Sequence, residues 1–198
     1  MEQLRKYRMT RILHQQNVVS SNHQIAVSAP SPALRDRKGE LTQEYLNYLF
    51  EYRDGNIYRR HSKYPRRIGG KVGSLSNRYF KTVIDGTNML VHRIIFKMFH
   101  GHLPEFLDHK DGNPLNNRIE NLRPATREQN AQNIGVKSSN SSGVKGVQFC
   151  KRTQKWHALI FYGGGPHSLG RFATLELATD AYRVAALKFH DPEFVRFP

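Results

Sequence analysis

Apolar positions in the first half of the chain change between helical spacing and the spacing of short strands. Between residues 41 and 50 they recur every three or four positions, which predicts a helix. The Asp-Gly pairs at 54–55 and 85–86 each separate two extended runs, which predicts two β-hairpins. Helical spacing returns at Val91 and stops at Gly101, because glycine commonly ends helices. This region therefore predicts a mixed α+β unit.

The stretch EFLDHKDGNPLNNRIENL, residues 105–122, breaks this regularity with four asparagines. Asparagine favours loops because its side chain competes for nearby backbone groups. The start of the stretch predicts a strand ending at the Asp-His pair 108–109, and NLRPA predicts a second strand. Thr126 followed by Gln129 forms a capping-box sequence, so we expect a helix to begin there. This order would fold Asn130 back towards the Asp-His pair.

The last third of the chain predicts a separate small unit. The segments GVKGVQF, KWHALIFY and HSLGRF predict three short strands, and TLELATDAYRVAALKFH predicts a helix capped by Thr174. Alternation predicts that one face of the sheet packs under the helix through Val147, Phe149, Trp156, Ala158, Ile160 and Leu169. The expected divisions are a disordered basic tail over 1–40, a first unit over 41–134, a polar linker over 135–143, and a second unit over 144–198.

Charge narrows the class of partner. The 198 residues carry 31 Lys+Arg and 16 Asp+Glu, a formal net charge of +15 at pH 7. That sign favours a polyanion, with nucleic acid as the first candidate, although a basic chain that is simply soluble has the same composition. The lone Cys150 excludes an internal disulfide and a cysteine zinc cage, and no apolar run approaches the length of a membrane span. We therefore expect a cytoplasmic protein with no membrane partner.

The segment LDHKDGNPLNNRIENLRPATREQNAQN, preceded by VHRIIFKMFHG, resembles the HNH endonucleases in the form found among phage homing endonucleases. The specific feature is the spacing: Asn-Leu begins twelve residues after the His of the Asp-His pair, and another Asn follows nine residues later. The resemblance covers about residues 45–133 and implies a ββα-metal fold. It implies His109 as general base and Asn121 as the brace of the loop that aims it. It also implies Asp108 and Asn130 as ligands of one divalent metal ion.

These residue types suit phosphodiester hydrolysis. A neutral imidazole has a pKa of about 6.5 and takes a proton from water near neutral pH. Aspartate and asparagine offer oxygen ligands, so we expect Mg²⁺ or Mn²⁺ rather than zinc, although many relatives have His at the last position. The resemblance implies products with 5′-phosphate and 3′-hydroxyl ends. Lys110, Arg118 and Arg123 are expected to bind flanking phosphates. His92 recurs in the family's VHR stretch, and packing at a helix start is its expected role, with contact to the site as the alternative.

The C-terminal unit, over about residues 142–190, resembles the plant ethylene-response-factor (apetala-two class) DNA-binding domain, versions of which are attached to phage HNH nucleases. The match lies in the GV pairs, the Trp before HALI, LGRF and the AxxAY…AA helix. In that family the three-stranded sheet enters the major groove. The residues expected to face DNA are Lys145, Gln148, Lys151, Arg152, Lys155, His157 and Arg171, with Ser168 as an addition. The plant domains carry more arginines on this face, so their sequence preference is not transferred, and a sheet that binds only the backbone is the alternative.

The leading hypothesis is a homing-type HNH endonuclease that nicks or cuts double-stranded DNA and is targeted by its C-terminal unit. The expected fold is α+β, a ββα-metal domain followed by a three-stranded antiparallel sheet on one helix. A non-enzymatic, sequence-specific DNA-binding regulator with a relic HNH fold is the second hypothesis, and an RNA-directed nuclease is the third. One site per chain suggests a monomer that nicks one strand, acting in a bacterial host cell if it is phage-encoded.

Overall fold

The computed structural model describes residues 32–37, 39–136 and 139–195. The basic tail expected over residues 1–40 therefore lies mostly outside the described residues. Within these ranges the chain forms four α-helices and four small antiparallel sheets, which confirms the predicted α+β class. No helix among them is long and apolar enough to cross a membrane.

The elements follow in an order that places most strands in hairpins. The helices are α1 Gln43–Leu49, α2 Val91–His100, α3 Arg127–Asn133 and α4 Leu175–Phe189. The strands before the linker are β1 Phe50–Arg53, β2 Asn56–Arg59, β3 Lys71–Val72, β4 Ser74–Ser76, β5 Tyr79–Ile84, β6 Thr87–Leu90, β7 Phe106–His109 and β8 Leu122–Ala125. The strands after it are β9 Val147–Cys150, β10 Lys155–Tyr162 and β11 Gly165–Phe172. Short 3₁₀ turns occupy Pro65–Arg67 and Ile119–Asn121.

The first core lies between α1, α2 and the hairpins. Its fully buried side chains include Leu46, Phe50, Ile57, Ile94 and Ile95. The predicted hairpins form, and the Asp-Gly turns at 54–55 and 85–86 have positive φ at both residues, as tight hairpin turns require. Gly101 ends α2 with a φ of 76°, and its N–H donates to the Lys97 carbonyl at 2.9 Å. Ile119 and Leu122, which flank the end of the loop after the Asp-His pair, belong to the same core.

The Asp-His segment itself forms two strands followed by a helix. β7 and β8 pair antiparallel, and α3 begins immediately after β8. The predicted capping box is present: the Gln129 N–H donates to the Thr126 hydroxyl at 3.1 Å, and the Thr126 N–H donates to the Gln129 side-chain oxygen at 2.8 Å. This cap fixes where α3 starts, and therefore which of its side chains face the β7–β8 hairpin.

The C-terminal unit is a sheet in the order β11-β10-β9 with α4 packed across one face. Val147, Ala158 and Ile160 are buried beneath the helix, as predicted. The prediction for Phe149 is wrong, because this side chain remains 39% exposed. It lies near the end of edge strand β9 and meets its cross-strand neighbour Trp156 edge-on, with ring centroids 5.1 Å apart. The Phe149 ring is therefore not among the side chains that pack against α4.

Candidate active site

The β7–β8 hairpin carries the Asp-His pair at its buried end. Its register sets Asp108 opposite Arg123 and His109 opposite Leu122. Asp108 and His109 are each 5% exposed. Ionisable side chains are rarely buried this deeply without partners, so the contacts of these two residues determine what the site can do.

His109 is held in one orientation by a buried amide. Its Nε2 lies 3.1 Å from the Oδ1 of Asn117, which is only 2% exposed. An amide oxygen can only accept a hydrogen bond, so Nε2 is the donor and the neutral ring carries its proton there. The other ring nitrogen, Nδ1, is then left to accept a proton. Sequence reasoning treated Asn117 only as a loop former, because spacing alone does not show which loop asparagine reaches the ring.

The asparagine-rich loop is tied together by Asn121. Its Oδ1 accepts from the Asp111 N–H at 3.0 Å, while its Nδ2 donates to the Asp111 carboxylate at 2.9 Å and to the Asn116 carbonyl at 2.8 Å. Burial raises the pKa of Asp111, but hydrogen bonds from Asn116, Asn113 and Asn121 outweigh that effect and lower its pKa overall. The last residue before β8 thus ties the two ends of the β7–β8 loop together.

Asp108 has two neighbours from different elements. Arg123 Nε donates to its Oδ2 at 2.9 Å, and Arg123 Nη2 lies 2.9 Å from the same oxygen without hydrogen-bond geometry. Asn133, at the end of α3, directs its Nδ2 to both carboxylate oxygens at 2.9 Å and to the His109 carbonyl at 2.6 Å. The Oδ1 of Asn133 is buried and has no hydrogen-bond partner among the described residues. Three oxygen atoms therefore converge on one amide nitrogen.

The sequence-predicted partner of Asp108 on this helix is a different residue. Asn130 is half-buried on α3, one turn before Asn133. Within the described residues no hydrogen bond joins the Asn130 side chain to Asp108, and the side chain that touches the carboxylate belongs to Asn133. Residues three apart lie on neighbouring positions of one helix face, which is the signal in the sequence that could have indicated Asn133.

His92 also belongs to this cluster. It is 5% exposed in the first turn of α2, and its ring meets the His109 ring at a centroid distance of 4.9 Å with an interplanar angle of 68°. Tyr79 lies beside both rings, at 5.3 Å from His92 and 6.2 Å from His109. Burial lowers the pKa of His92 to about 3, with smaller effects from His109 and Arg93. His92 is therefore uncharged near pH 7, and its ring packs against the ring of His109.

The three basic residues expected to bind flanking phosphates occupy different settings. Lys110 is exposed beside the Asp-His pair. Arg118 is also exposed, and its Nη2 donates to Asp54 at 2.9 Å. Arg123 instead has a side chain only 12% exposed, because it is engaged with Asp108. The contacts of Arg123 therefore fit a role in positioning Asp108 and do not fit a role in binding DNA.

The open face of the C-terminal sheet carries most of the residues expected to face DNA. Gln148, His157 and Arg171 form one cross-strand row, since His157 pairs with both of the others. The exposed members of the predicted set beside that row are Lys151, Arg152, Lys155 and Ser168. His157 Nε2 lies 2.9 Å from the Ser168 hydroxyl. The face lies opposite the helix and is basic, but it also carries apolar side chains in the outward positions Leu159 and Phe161, of which Phe161 is 65% exposed.

Lys145 does not take its expected outward position. Its Nζ donates to the carbonyls at the end of α3, those of Ala131 at 2.8 Å, Gln132 at 2.7 Å and Ile134 at 2.8 Å. These carbonyls lack helical partners, so a cationic donor there satisfies them. Burial lowers the pKa of Lys145 to about 8. This lysine joins the C-terminal unit to α3 and is not free to contact DNA.

Comparison with known proteins identifies the family. The HNH endonuclease family model matches residues 89–132, from the end of β6 into α3. The chain is 32% identical over 108 residues to Protein 3.8 of Escherichia phage T7, which covers 54% of this chain and 88% of that protein. It is 34% identical over 101 residues to the uncharacterised HNH endonuclease L560 of Acanthamoeba polyphaga mimivirus, covering 50% of this chain and 51% of that protein.

A third relative shares a shorter segment. YosQ of Bacillus subtilis (strain 168), described as a candidate HNH homing endonuclease derived from the SPbeta prophage, is 43% identical over 56 residues, or 26% of this chain and 32% of that protein. The comparison with solved structures found no match. The chain belongs to the HNH endonuclease family and carries an HNH domain related to phage and viral proteins.

Membership of this family implies a divalent metal ion, and the donor atoms around Asp108 suit a hard cation. Among the described residues no group of three or more His, Cys, Asp or Glu side chains is arranged to hold a metal. A metal here would therefore rely on Asp108 together with amide or backbone oxygens. Asn130, the predicted second ligand, carries such an amide oxygen on the same helix, whereas the buried Asn133 Oδ1 has no partner but belongs to an amide that presents its nitrogen to Asp108. This oxygen-rich set fits Mg²⁺ or Mn²⁺ better than zinc.

Proposed function

We propose that the protein is an HNH homing-type DNA endonuclease that hydrolyses phosphodiester bonds. His109 acts as general base, and Asp108 and Asn130 hold one divalent ion, Mg²⁺ or Mn²⁺. The observation that carries this proposal is the adjacency of Asp108 and His109 at the buried end of one strand, with His109 Nε2 fixed on Asn117. The net charge of +15 supports a nucleic acid as the substrate, and double-stranded DNA is the nucleic acid proposed.

In the proposed mechanism each residue has a separate task. Asn117 keeps a proton on His109 Nε2, so Nδ1 removes the proton of the attacking water. Asn121 keeps the loop closed and thereby holds the histidine in place. Lys110 and Arg118 bind flanking phosphates from the solvent side. The metal, when bound, stabilises charge on the phosphate and on the leaving 3′-oxygen. The products carry 5′-phosphate and 3′-hydroxyl ends.

The C-terminal unit, over residues 144–198, is proposed to direct cleavage, with its open sheet face in the major groove. The row of Gln148, His157 and Arg171 supports base reading, because these side chains can hydrogen-bond to base edges. Lys151, Arg152 and Lys155 supply backbone contacts. A monomer has one nuclease site and nicks one strand, so a double-strand cut requires two chains or two events.

The proposal is tested by incubating supercoiled plasmid carrying candidate phage or host target DNA with Mg²⁺ or with EDTA. We expect nicking by the wild type only with Mg²⁺, and a loss of about 10²–10⁴-fold in His109→Ala. His102→Ala is the matched control, because His102 is an exposed histidine of the same domain outside the site. If the wild type cuts none of these DNAs in Mg²⁺, the proposal is refuted. If His109→Ala cleaves at the wild-type rate, the role of His109 is refuted.

One observation supports the alternative of a non-enzymatic DNA-binding regulator. The row of Gln148, His157 and Arg171 on the C-terminal sheet would bind DNA without any contribution from the nuclease site. A regulator would bind its target DNA equally with and without Mg²⁺ and leave it intact. The plasmid assay combined with a binding assay in EDTA separates the two functions.

A further inference from the structure

The C-terminal segment reaches the nuclease site through Arg123. Arg123 Nη1 donates to the Glu193 carbonyl at 2.6 Å, and its guanidinium carbon lies 3.5 Å from the centroid of the Phe194 ring. Phe194 is 5% exposed, so this cation–π contact is shielded from water. The same guanidinium donates to Asp108 through Nε. One arginine therefore connects the candidate metal ligand to residues that follow the last helix.

The segment that supplies these contacts is itself fixed to α3. The Asp191 N–H donates to the Gln132 side chain at 3.0 Å, and the Asp191 carboxylate accepts from Gln129 Nε2 at 2.9 Å. The N–H groups of Phe194 and Val195 then close a turn on the Asp191 carbonyl, at 2.9 and 3.0 Å. The turn carries Phe194 over the Arg123 face. The last residues of the described chain are thus held by the same helix that flanks Asp108.

The direction of the Arg123 contacts matters for Asp108. Both nearby Arg123 nitrogens face Oδ2, and the only neighbour of Oδ1 among the described hydrogen bonds is the Asn133 amide. Oδ2 is therefore held by a charge-assisted contact, while Oδ1 accepts only from a neutral amide. Hydrogen-bonded partners of ligating carboxylates orient them, and their loss weakens metal binding. An arginine fixed on its far side by Phe194 and Glu193 is such a partner.

We propose that the segment Asp191–Phe194 is a working part of the nuclease site. Phe194 and the Glu193 carbonyl act as positioning groups that hold Arg123, and Arg123 holds the Asp108 carboxylate in the orientation in which it would bind the metal. The C-terminal unit then does more than bring the nuclease to DNA, since it also completes the nuclease. This inference rests on the proposed function, because it assumes that Asp108 binds the catalytic metal.

The test compares full-length variants at Phe194 and Glu193. Phe194→Leu keeps apolar volume but removes the aromatic face. Glu193→Ala is the matched control, because the Glu193 contact is made by its backbone carbonyl and survives the change. Mn²⁺ binding without DNA is measured by electron paramagnetic resonance, and the Mg²⁺ concentration for half-maximal nicking is measured separately from the maximal rate.

We expect Phe194→Leu to weaken Mn²⁺ binding about tenfold and to raise the half-maximal Mg²⁺ concentration by a similar factor, with the maximal rate largely recovered at high Mg²⁺. Glu193→Ala should match the wild type. Arg123→Lys is a second variant: it keeps the charge but not the forked, stacked geometry, and should weaken Mn²⁺ binding in the same way. Thermal unfolding of each variant without metal checks that the fold is intact.

The outcomes separate this inference from the proposed function. If the wild type binds Mn²⁺ and nicks DNA, but Phe194→Leu and Arg123→Lys bind Mn²⁺ as tightly as the wild type, the inference is overturned and the nuclease assignment stands. Unaltered binding by a folded Arg123→Lys variant alone overturns it even where Phe194→Leu does not fold. A wild type that neither binds Mn²⁺ nor nicks overturns the proposed function, and this inference with it.

Discussion

Replacing Asn133 by aspartate places a second carboxylate against Asp108. Asn133 is 2% exposed, and its amide nitrogen lies 2.9 Å from both Asp108 oxygens. Two unit charges 4 Å apart repel by about 4 kcal/mol at an effective dielectric constant of about 20. At pH 7 one of the two carboxylates can instead take up a proton. Raising its pKa from about 4 to about 7 costs a similar free energy, about 4 kcal/mol. We therefore expect Asn133→Asp to lose about 4 kcal/mol of unfolding free energy at pH 7 in EDTA.

The same variant should respond strongly to metal. Two carboxylates facing one point form a better site for a hard divalent cation than one carboxylate and an amide. Urea unfolding in EDTA and in Mn²⁺ should show the loss in EDTA and its recovery in Mn²⁺. Ala131→Asp is the matched control at an exposed position of the same helix, and should lose less than about 1 kcal/mol in EDTA. Equal stability of Asn133→Asp and the wild type in EDTA would refute the placement of Asn133 beside Asp108.

Three further predictions concern pH and DNA. Because the pKa of buried His92 is lowered to about 3, the unfolded chain binds more protons below pH 6.5. His92 should therefore contribute a fall in stability of about 1.5 kcal/mol from pH 6.5 to 5, and His92→Leu should reduce the total fall by that amount in urea titrations. The lowered pKa of Lys145, about 8, makes the unfolded chain the better proton binder between pH 8 and 10.5, so Lys145 contributes a rise of stability over that range. Thermal melts of Lys145→Met should lack that rise, and a variant that keeps it would contradict the buried position. Arg171→Ala should weaken binding of target DNA by about 1–3 kcal/mol in fluorescence anisotropy, whereas Lys151→Ala should reduce the slope of log affinity against log salt by about 1. If the wild type, Arg171→Ala and Lys151→Ala all show the same salt slope, the contact of Lys151 with the DNA backbone is refuted.

Local sequence signals predicted most of the framework. Residue spacing and turn chemistry act over a few residues, and the structure follows them at the 54–55 and 85–86 turns, at Gly101 and in the Thr126 capping box. Each of these features is decided by φ preferences or by a hydrogen bond within one turn. The fold class and the α3 start were therefore accessible from the sequence.

The contacts between the two units were not accessible in this way. Lys145 was expected to face DNA, and Arg123 was expected to bind phosphate, because an exposed strand position and a basic residue near the motif have those roles on average. Their actual partners are the end of α3 for Lys145 and Phe194 for Arg123. Both depend on how the C-terminal unit packs against α3, which no local pattern encodes. The choice of Asn133 over Asn130 beside Asp108 likewise depends on the exact rotation of a short helix.

The most direct test of the account is chemical rescue at His109. His109 is 5% exposed, so His109→Gly leaves a buried space of the size of the lost ring. Single-turnover cleavage of a labelled DNA duplex in Mg²⁺ should fall about 10²–10⁴-fold in this variant and recover in part when imidazole is added. Recovery should grow with the concentration of neutral imidazole and be absent in Asp108→Asn. Cleavage by His109→Gly at the wild-type rate would contradict the assignment of His109 as general base, and so would a lowered rate that imidazole leaves unchanged.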